Sequence, residues 1–261
     1  MFTKQDLLKQ LKEMPIDEKG TIIVHSSMKS IGDIEGGAET VLDAFTEFMK
    51  DGLLVFPTHT WATMNEENPV FSVNDTPSHV GILTELFRKR PGVLRSYHPT
   101  HSVGALGDDA DDFINRDEQF NTPAARESVW GKLLDRQAKI LLVGVDLKRN
   151  TFIHGIEEWL DIPDRMNEQP QDLVSVLPDG TEIPSPQIRH ISGISNNYWK
   201  VEEWLANKGA IEYTQFGDAK VLVCDTVQLA EYITEMLKID PALFSDGEPL
   251  TEEQIEAFNK I

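Results

Sequence analysis

A histidine and a glutamate three positions apart are the residues with the clearest chemical use. His154 and Glu157 lie within residues 150–159, which follow the apolar run at residues 139–143. Helical spacing places both side chains on one face, where a carboxylate can orient an imidazole and raise its basicity. This arrangement is typical of a general base that takes a proton from a nucleophile. A His–Glu pair on a helix surface, without a catalytic role, is the alternative interpretation.

Two segments rich in hydroxyl groups predict a site for a ligand that carries phosphates. The first, residues 26–32, directly follows the β-branched run at residues 21–25, and the second spans residues 98–104. Ligands of open α/β sheets bind beyond the carboxyl ends of the strands. Hydroxyl and backbone N–H groups can hold a phosphate there without a glycine-rich loop. An ordinary serine-rich turn before the next helix is the alternative for the first segment.

The common motifs of nucleotide-binding enzymes and serine hydrolases are absent from the chain. There is no G-x-S-x-G and no G-x-G-x-x-G, and Gly131-Lys132 is followed by Leu133 rather than by serine or threonine. The single cysteine, Cys224, excludes an intramolecular disulfide and a cysteine-rich zinc site. It ends an apolar run, which favours a buried filler over a nucleophile.

The elements that must position these residues alternate between strands and helices. Short apolar runs predict strands at residues 21–25, 53–56 and 139–143, and helical periodicity predicts helices after Thr3, after Gly36-Gly37 and at residues 80–87. This alternation predicts an α/β fold with a layered central sheet flanked by helices.

The pattern changes near residue 163. An extended segment and a turn at residues 172–180 precede a helix at 197–208, a hairpin around Gly217-Asp218 and a helix at 226–237. Thr251 and Gln254 can form a capping box for a last short helix. We therefore expect one domain over residues 1–261, with an added α+β lobe from about residue 163.

The charge of the chain is strongly negative. There are 24 Lys and Arg residues against 44 Asp and Glu residues, for a formal net charge of −20. This field disfavours nucleic acid and anionic membrane surfaces and attracts a cationic small molecule, although solubility alone also explains it. No apolar run approaches the roughly 20 residues that cross a bilayer, and the N-terminus lacks a signal-peptide pattern. These features predict a cytoplasmic protein and leave its oligomeric state open.

The chain resembles the aminoglycoside 3-N-acetyltransferase, or antibiotic acetyltransferase, family over nearly its whole length. The resemblance implies an acetyl-CoA-dependent N-acetyltransferase with the α/β fold of that family, which is distinct from the fold of the GNAT acetyltransferases. The matching stretches are residues 25–32, 36–38, 56–58, 98–102, 128–133, 150–157, 209–210 and 216–219.

The resemblance also implies roles for individual residues. His154 matches the catalytic histidine of the family and Glu157 its supporting glutamate, and no metal is expected. Lys148 stands where many members carry an acidic residue, which weakens the expected contact with a polycationic aminoglycoside. The implied coenzyme A site consists of Ser26, Ser27, Ser30, Ile31, Thr100, Ser102 and Val103.

We therefore expect direct acetyl transfer from acetyl-CoA to a small-molecule cationic amine, either an aminoglycoside or a similar amino sugar. His154 would act as the base, and backbone N–H groups near Ser102 and Val103 would stabilise the developing oxyanion. Two alternatives are a noncatalytic binder of coenzyme A or a cationic ligand, and a metal-dependent hydrolase. The hydrolase would use four histidines that follow predicted strands, namely His25, His59, His98 and His101.

Overall fold

The structure is a computed structural model that describes residues 1–261. Its ten strands are β1 Thr21–Ser26, β2 Leu53–Pro57, β3 Val70–Ser72, β4 Leu94–Arg95, β5 Val103–Leu106, β6 Lys139–Val143, β7 Val174–Val176, β8 Glu182–Pro184, β9 Ile211–Phe216 and β10 Ala219–Asp225. Its ten α-helices are α1 Lys4–Glu13, α2 Met28–Ile31, α3 Gly37–Phe48, α4 Ile82–Phe87, α5 Ala110–Ile114, α6 Val129–Asp135, α7 Thr151–Trp159, α8 Glu202–Asn207, α9 Thr226–Ile239 and α10 Glu252–Phe258. Three 3-10 helices span Asp117–Gln119, Leu147–Arg149 and Ile194–Val201.

A seven-stranded mixed sheet forms the centre of the molecule, in the order β4-β5-β2-β1-β6-β10-β9. Strand β1 runs parallel to both β2 and β6, whereas β5 and β10 are antiparallel to their neighbours. The carboxyl ends of β1, β2 and β6 therefore meet at one edge of the sheet. The sheet confirms the α/β fold and brings together the loops that follow these three strands.

Helices cover both faces of this sheet. In β1, Ile22 and Val24 pack into one apolar cluster with α1 and α3, while Ile23 packs into a second cluster with α6, α7 and α9. Strand β6 divides its side chains in the same alternating way. Because both faces of these strands are buried, their sequences read as continuous apolar runs rather than as alternating ones.

The part of the chain after residue 163 contributes to two sheets. Strands β7 and β8 join β3 in a separate three-stranded sheet, which is the element added to the central layers. The predicted hairpin around Gly217-Asp218 is present as β9 and β10, and β10 pairs with β6 in the central sheet. Helix α9 packs in the same apolar cluster as α6 and α7. The second half of the chain is therefore partly an extension of the central sheet.

Two local predictions have clear outcomes. The capping box of Thr251 and Gln254 is confirmed at the start of α10. The single helix expected at residues 197–208 is instead a 3-10 helix, Ile194–Val201, followed by α8. Within that segment Trp199 is largely exposed and Tyr198 is buried. No helix combines the length and the apolar character that crossing a bilayer requires.

Candidate functional site

A cavity of about 920 Å³ opens at the edge of the sheet where β1, β2 and β6 end. Its walls come from the loops after these three strands, from the start of α7, from the turn before α4 and from the segment after β8. His154 of α7 lies in this wall. The cavity has the position that open α/β sheets use for ligands.

Helix α7 holds His154 in a fixed orientation. Asn150 caps the helix by accepting a hydrogen bond from Phe152 N–H at 3.3 Å. Phe152, Ile153 and Ile156 are fully buried in the core. The packing of these apolar side chains sets the rotation of the helix, so that His154 points into the cavity while Glu157 is buried behind it.

Hydrogen bonds determine the tautomer of the neutral His154 ring. His154 Nδ1 lies 2.7 Å from the hydroxyl of Tyr198 and 3.5 Å from Glu157 Oε2. The Tyr198 hydroxyl donates its one proton to Glu157 Oε2. Nδ1–H must therefore be the donor to the Tyr198 oxygen, which leaves the lone pair on Nε2. In this tautomer Nε2 can accept a proton.

Glu157 is a buried carboxylate with three polar partners. Arg165 Nε donates to Glu157 Oε1 at 2.5 Å, and both side chains are buried. Burial raises the pKa of Glu157, but the neighbouring His154 and the hydrogen bonds from Tyr198 and Arg165 outweigh it and hold the pKa below its ordinary value. Burial, together with the neighbouring Glu157 charge, also raises the pKa of Tyr198 well above 10. Glu157 is therefore ionised, and Tyr198 remains a proton donor.

His190 stacks on the ring of His154. The two ring centroids are 4.3 Å apart, and the planes differ by 19°. His190 Nε2 lies 3.3 Å from Glu158 Oε2, and Glu158 also accepts from Thr122 Oγ1 and from Ala124 N–H. Burial lowers the pKa of His190 well below 6.5. A neutral His190 can stack closely without repelling the proton that His154 would take.

Most of the remaining histidines share the cavity. Burial is the main cause of their lowered pKa values, and it lowers that of His25 to about 3. No group of three or more His, Cys, Asp or Glu side chains is arranged to hold a metal ion. The histidines of this group that line the cavity are His25, His59, His79 and His101.

His98, one of the four histidines assigned to the hydrolase alternative, lies outside this lining. Its Nδ1 accepts hydrogen bonds from the N–H groups of Thr100 and His101 at 3.2 and 3.0 Å. Its Nε2 lies 3.0 Å from the carbonyl oxygen of Thr122, to which it donates. Both ring nitrogens are therefore used within the protein.

The first predicted coenzyme loop reaches the cavity in part. Ser26 and Ser27 line it, whereas Ile31 is fully buried. Ser30 borders a neighbouring groove, and its hydroxyl lies 2.9 Å from Ser27 Oγ and 3.2 Å from the Gly144 carbonyl oxygen. Ser30 therefore connects this loop by a hydrogen bond to the loop that follows β6.

Of the second predicted coenzyme loop, only His101 lines the cavity. Thr100, Ser102 and Val103 are fully buried and absent from its lining. The Ser102 hydroxyl donates to the carbonyl oxygen of Thr58 at 3.0 Å, and the N–H of Val103 donates to Ser96 Oγ at 3.0 Å. The N–H of Val103 is thus already paired within the protein and is not free for the oxyanion role expected of it. The physical reason is that pairing between β2 and β5 continues into this segment.

The charge of the cavity differs from that of the whole chain. No Asp or Glu lines it, although the chain carries 44 of them. Lys148, the residue that departs from the family pattern, is part of the lining together with three further cations. The four cationic residues are Lys29, Lys148, Arg149 and Arg189.

Sequence reasoning missed four residues of this site: Tyr198, Arg165, His190 and Glu158. Glu158 is adjacent to Glu157, and Arg165 follows α7 within two turns' length of chain, so proximity in sequence was an available signal for both. Tyr198 and His190 reach the site only through the tertiary fold, and no local pattern marks them.

Comparison with known proteins agrees with the sequence resemblance. The family model "Aminoglycoside 3-N-acetyltransferase" matches residues 23–238. The SPbeta prophage-derived aminoglycoside N(3')-acetyltransferase-like protein YokD of Bacillus subtilis (strain 168) is 31% identical over 176 residues, which are 59% of this chain and 64% of that protein.

Two solved structures share the fold. Aminoglycoside acetyltransferase AAC(3)-IVa, solved as a histidine-to-alanine mutant in complex with a gentamicin, superposes with a TM-score of 0.82 at 23% identity, over 93% of this chain and 91% of that one. AAC-IIIb, solved as a binary complex with CoASH, gives 0.80 at 20% identity, over 96% and 99%. The family model, which matches most of the chain, shows that the chain belongs to the aminoglycoside 3-N-acetyltransferase family, a family of acyltransferases.

Proposed function

We propose that this protein transfers an acetyl group from acetyl-CoA directly to an amine of an aminoglycoside or a similar amino sugar. The observation that carries the proposal is the hydrogen bonding of His154 and its position in the cavity. Its Nδ1 is held by Tyr198 and Glu157, its Nε2 is free to accept a proton, and its side chain reaches a cavity of about 920 Å³. A positioned imidazole of this kind is what deprotonation of an amine requires.

The chain's own residues fit coenzyme A at this cavity. Its phosphates are anionic, and the lining supplies Lys29 beside the hydroxyls of Ser26 and Ser27. We propose that Ser26 and Ser27 contact the coenzyme directly. The other five predicted residues would support the loops rather than bind the coenzyme through their side chains: Ser30, Ile31, Thr100, Ser102 and Val103.

In this proposal acetyl-CoA supplies an acetyl group activated as a thioester. The amine nitrogen forms the new C–N bond, the C–S bond breaks, and the proton lost by nitrogen passes to His154 Nε2 and then to the coenzyme thiolate. Glu157 stabilises the protonated ring, because it is ionised and lies 3.5 Å from Nδ1. Tyr198 and the stacked His190 keep the ring in the required plane. Correct alignment of amine and thioester supplies much of the acceleration.

A covalent route through cysteine is disfavoured. Cys224 is the one cysteine, it is buried in β10, and burial raises the pKa of its thiol. A thiol that stays protonated and lies within the sheet is a poor nucleophile. Direct transfer between the two substrates is therefore the mechanism that these residues support.

The relatives support the two substrate classes. One solved neighbour is bound to CoASH and another to a gentamicin, and the Bacillus subtilis relative is described as aminoglycoside N(3')-acetyltransferase-like. These ligands and this activity belong to those proteins, and we extend them to this chain only as part of the proposal.

The test is thiol release from acetyl-CoA, screened over amines that include gentamicin and simple amino sugars. We expect amine-dependent release of coenzyme A, a product heavier by one acetyl group, and unchanged rates after treatment with a chelator. Binding of coenzyme A without release for any amine would favour the noncatalytic binder. Loss of activity with the chelator, restored by a metal, would favour the hydrolase alternative.

A further inference from the structure

The lining of the cavity is unusually cationic for this chain. Four Lys and Arg side chains reach it and no Asp or Glu does, in a protein with a formal net charge of −20. None of the four, Lys29, Lys148, Arg149 and Arg189, lies within ion-pair distance of a carboxylate. Their charges are therefore available to a ligand.

The two acidic residues nearest to the reacting histidine cannot offset these charges. Glu157 is buried and bonded to Tyr198 and Arg165. Glu158 is bonded to Thr122 and lies 3.3 Å from His190. A substrate with several ammonium groups would meet no free carboxylate in this cavity, and it would bring like charges together at a high cost in free energy.

The four cations come from three different segments of the wall. Lys29 follows β1, and Lys148 and Arg149 lie in the 3-10 helix that follows β6, one turn before His154. Arg189 belongs to the segment after β8 and precedes His190, which stacks on His154.

The Arg189 side chain is held in place by carbonyl groups. Its Nη1 donates to the carbonyl oxygen of Trp61 at 2.8 Å and its Nη2 to that of Met64. Its Nε is buried without a partner. Positive charge therefore lines the cavity on three segments of its wall, and the coenzyme loop after β1 is only one of them.

We propose that the acetyl acceptor of this enzyme is an anionic amine, with a phosphate or carboxylate group that Lys148, Arg149 and Arg189 bind beside the reacting nitrogen. The proposal rests on the proposed acetyl transfer and narrows its substrate class. Gentamicin and similar polycations are then poor acceptors, and an amino sugar that carries an acidic group is a good one. Oxygen anions are the ligands that unpaired Lys and Arg side chains bind most strongly.

The test measures binding to protein that is already saturated with coenzyme A, so that the phosphate sites of the coenzyme are filled. Glucosamine, glucosamine 6-phosphate, muramic acid and gentamicin are titrated separately by calorimetry. We expect glucosamine 6-phosphate or muramic acid to bind at least about tenfold more tightly than glucosamine, and gentamicin to bind more weakly than either. Comparison of the first two probes distinguishes a phosphate from a carboxylate.

Two variants test whether Lys148 and Arg149 bind the acidic group of the acceptor. Lys148→Gln and Arg149→Gln should each reduce the preference for the acidic probe by at least about threefold, because neither side chain has another partner in the structure. Lys12→Gln, on the exposed surface of α1, should leave this preference unchanged. If the first two variants weaken coenzyme A binding and leave the preference intact, these cations serve the coenzyme and the proposal is wrong.

Two further outcomes overturn the proposal without affecting acetyl transfer, which thiol release measures separately. One is equal binding of glucosamine and the acidic probes, or no detectable binding of any probe. The other is tighter binding of gentamicin that Asp146→Asn removes. That result would place a polycationic acceptor across the neighbouring groove, where Asp146, Glu202 and Asp218 are found.

Discussion

Two histidines of this molecule, His154 and His98, lie near hydroxyl groups, and of these two only His154 leaves a ring nitrogen open for a substrate. At the start of α7, His154 uses Nδ1 within the protein and keeps Nε2 free in the cavity. At residues 98–103, His98 uses both ring nitrogens, the hydroxyl groups of Thr100 and Ser102 are bonded internally, and His101 is the one residue that lines the cavity. Both regions contain a histidine near hydroxyl groups. His154 has one ring nitrogen without a partner in the protein, whereas both ring nitrogens of His98 have partners.

This difference distinguishes a side chain that can react with a substrate from side chains that only stabilise the fold. A polar loop that satisfies its own donors and acceptors stabilises the fold and has nothing left for a ligand. A polar side chain that is satisfied on one side and open on the other is both oriented and reactive. The comparison predicts that substitutions near His154 change turnover, whereas substitutions of His98, Thr100 and Ser102 change stability.

The largest effect on stability is expected at the buried ion pair behind His154. Arg165→Met leaves the Glu157 carboxylate buried without its partner and should cost about 3–5 kcal/mol in the free energy of unfolding. Urea denaturation measures this cost. Lys238→Met, which breaks the exposed pair with Glu235, is the control and should cost less than about 1 kcal/mol. Similar costs for both variants would mean that the buried pair contributes no special support to the site.

The next effect concerns pH. Burial lowers the pKa of His25 to about 3 and, with small opposing contributions, that of His98 to about 4, from 6.5 in the unfolded chain. The unfolded chain therefore binds more protons below pH 6.5, so the stability that is fully present above this pH is lost as the pH falls. Between pH 7.5 and 5.5 we expect a loss of about 3 kcal/mol from the two residues together. Constant or rising stability across this interval, measured by urea denaturation, would contradict the neutral buried state of these rings.

Ser27 and Ser102 provide a matched pair across the two regions. Ser102→Ala removes a buried hydroxyl that accepts from Arg95 and donates to Thr58, and it should cost about 1–3 kcal/mol in stability while the KM for acetyl-CoA stays unchanged. Ser27→Ala should raise the KM for acetyl-CoA and leave stability nearly unchanged. A rise in the KM for acetyl-CoA in Ser102→Ala but not in Ser27→Ala would show that the second loop, rather than the first, contacts the coenzyme.

The smallest expected effect is at Tyr198. Tyr198→Phe removes one hydrogen bond to His154 Nδ1 and one to Glu157, and the ring loses part of its orientation. We expect kcat to fall about tenfold, as the loss of the one hydrogen bond that orients His154 predicts, with little change in the KM for acetyl-CoA. A variant with the kcat of the wild type would show that Glu157 alone orients His154.

The sequence predicted the layers of the fold and the centre of the site because both depend on local patterns. The apolar runs of β1, β2 and β6 follow from burial on both faces, and the His154–Glu157 pair follows from helical spacing. The helix expected from residue 197 begins earlier, as a 3-10 helix from Ile194, and this start was not predicted because the polar run Ser195-Asn196-Asn197 separates Ile194 from the next apolar residue in the sequence.

The remaining features depend on contacts between distant parts of the chain. Tyr198 is 44 residues from His154, and nothing near it in sequence indicates that its hydroxyl meets that ring. The burial of Thr100 and Ser102 depends on the pairing of β2 with β5, which a string of hydroxyl residues does not reveal. The cationic lining could not be inferred from the net charge, because a total says nothing about where the charges lie.

The most direct test of the account compares His154→Ala with His98→Gln in one acetyl-transfer assay, with stability and coenzyme A binding measured on the same preparations. We predict that His154→Ala folds and binds coenzyme A as the wild type does, and that its kcat falls by roughly 10²- to 10⁴-fold. His98→Gln should be less stable by about 1–3 kcal/mol and, where folded, keep kcat within about threefold. A His154→Ala variant that retains most of its kcat, or a folded His98→Gln variant that loses it, would contradict the assignment of His154 as the base.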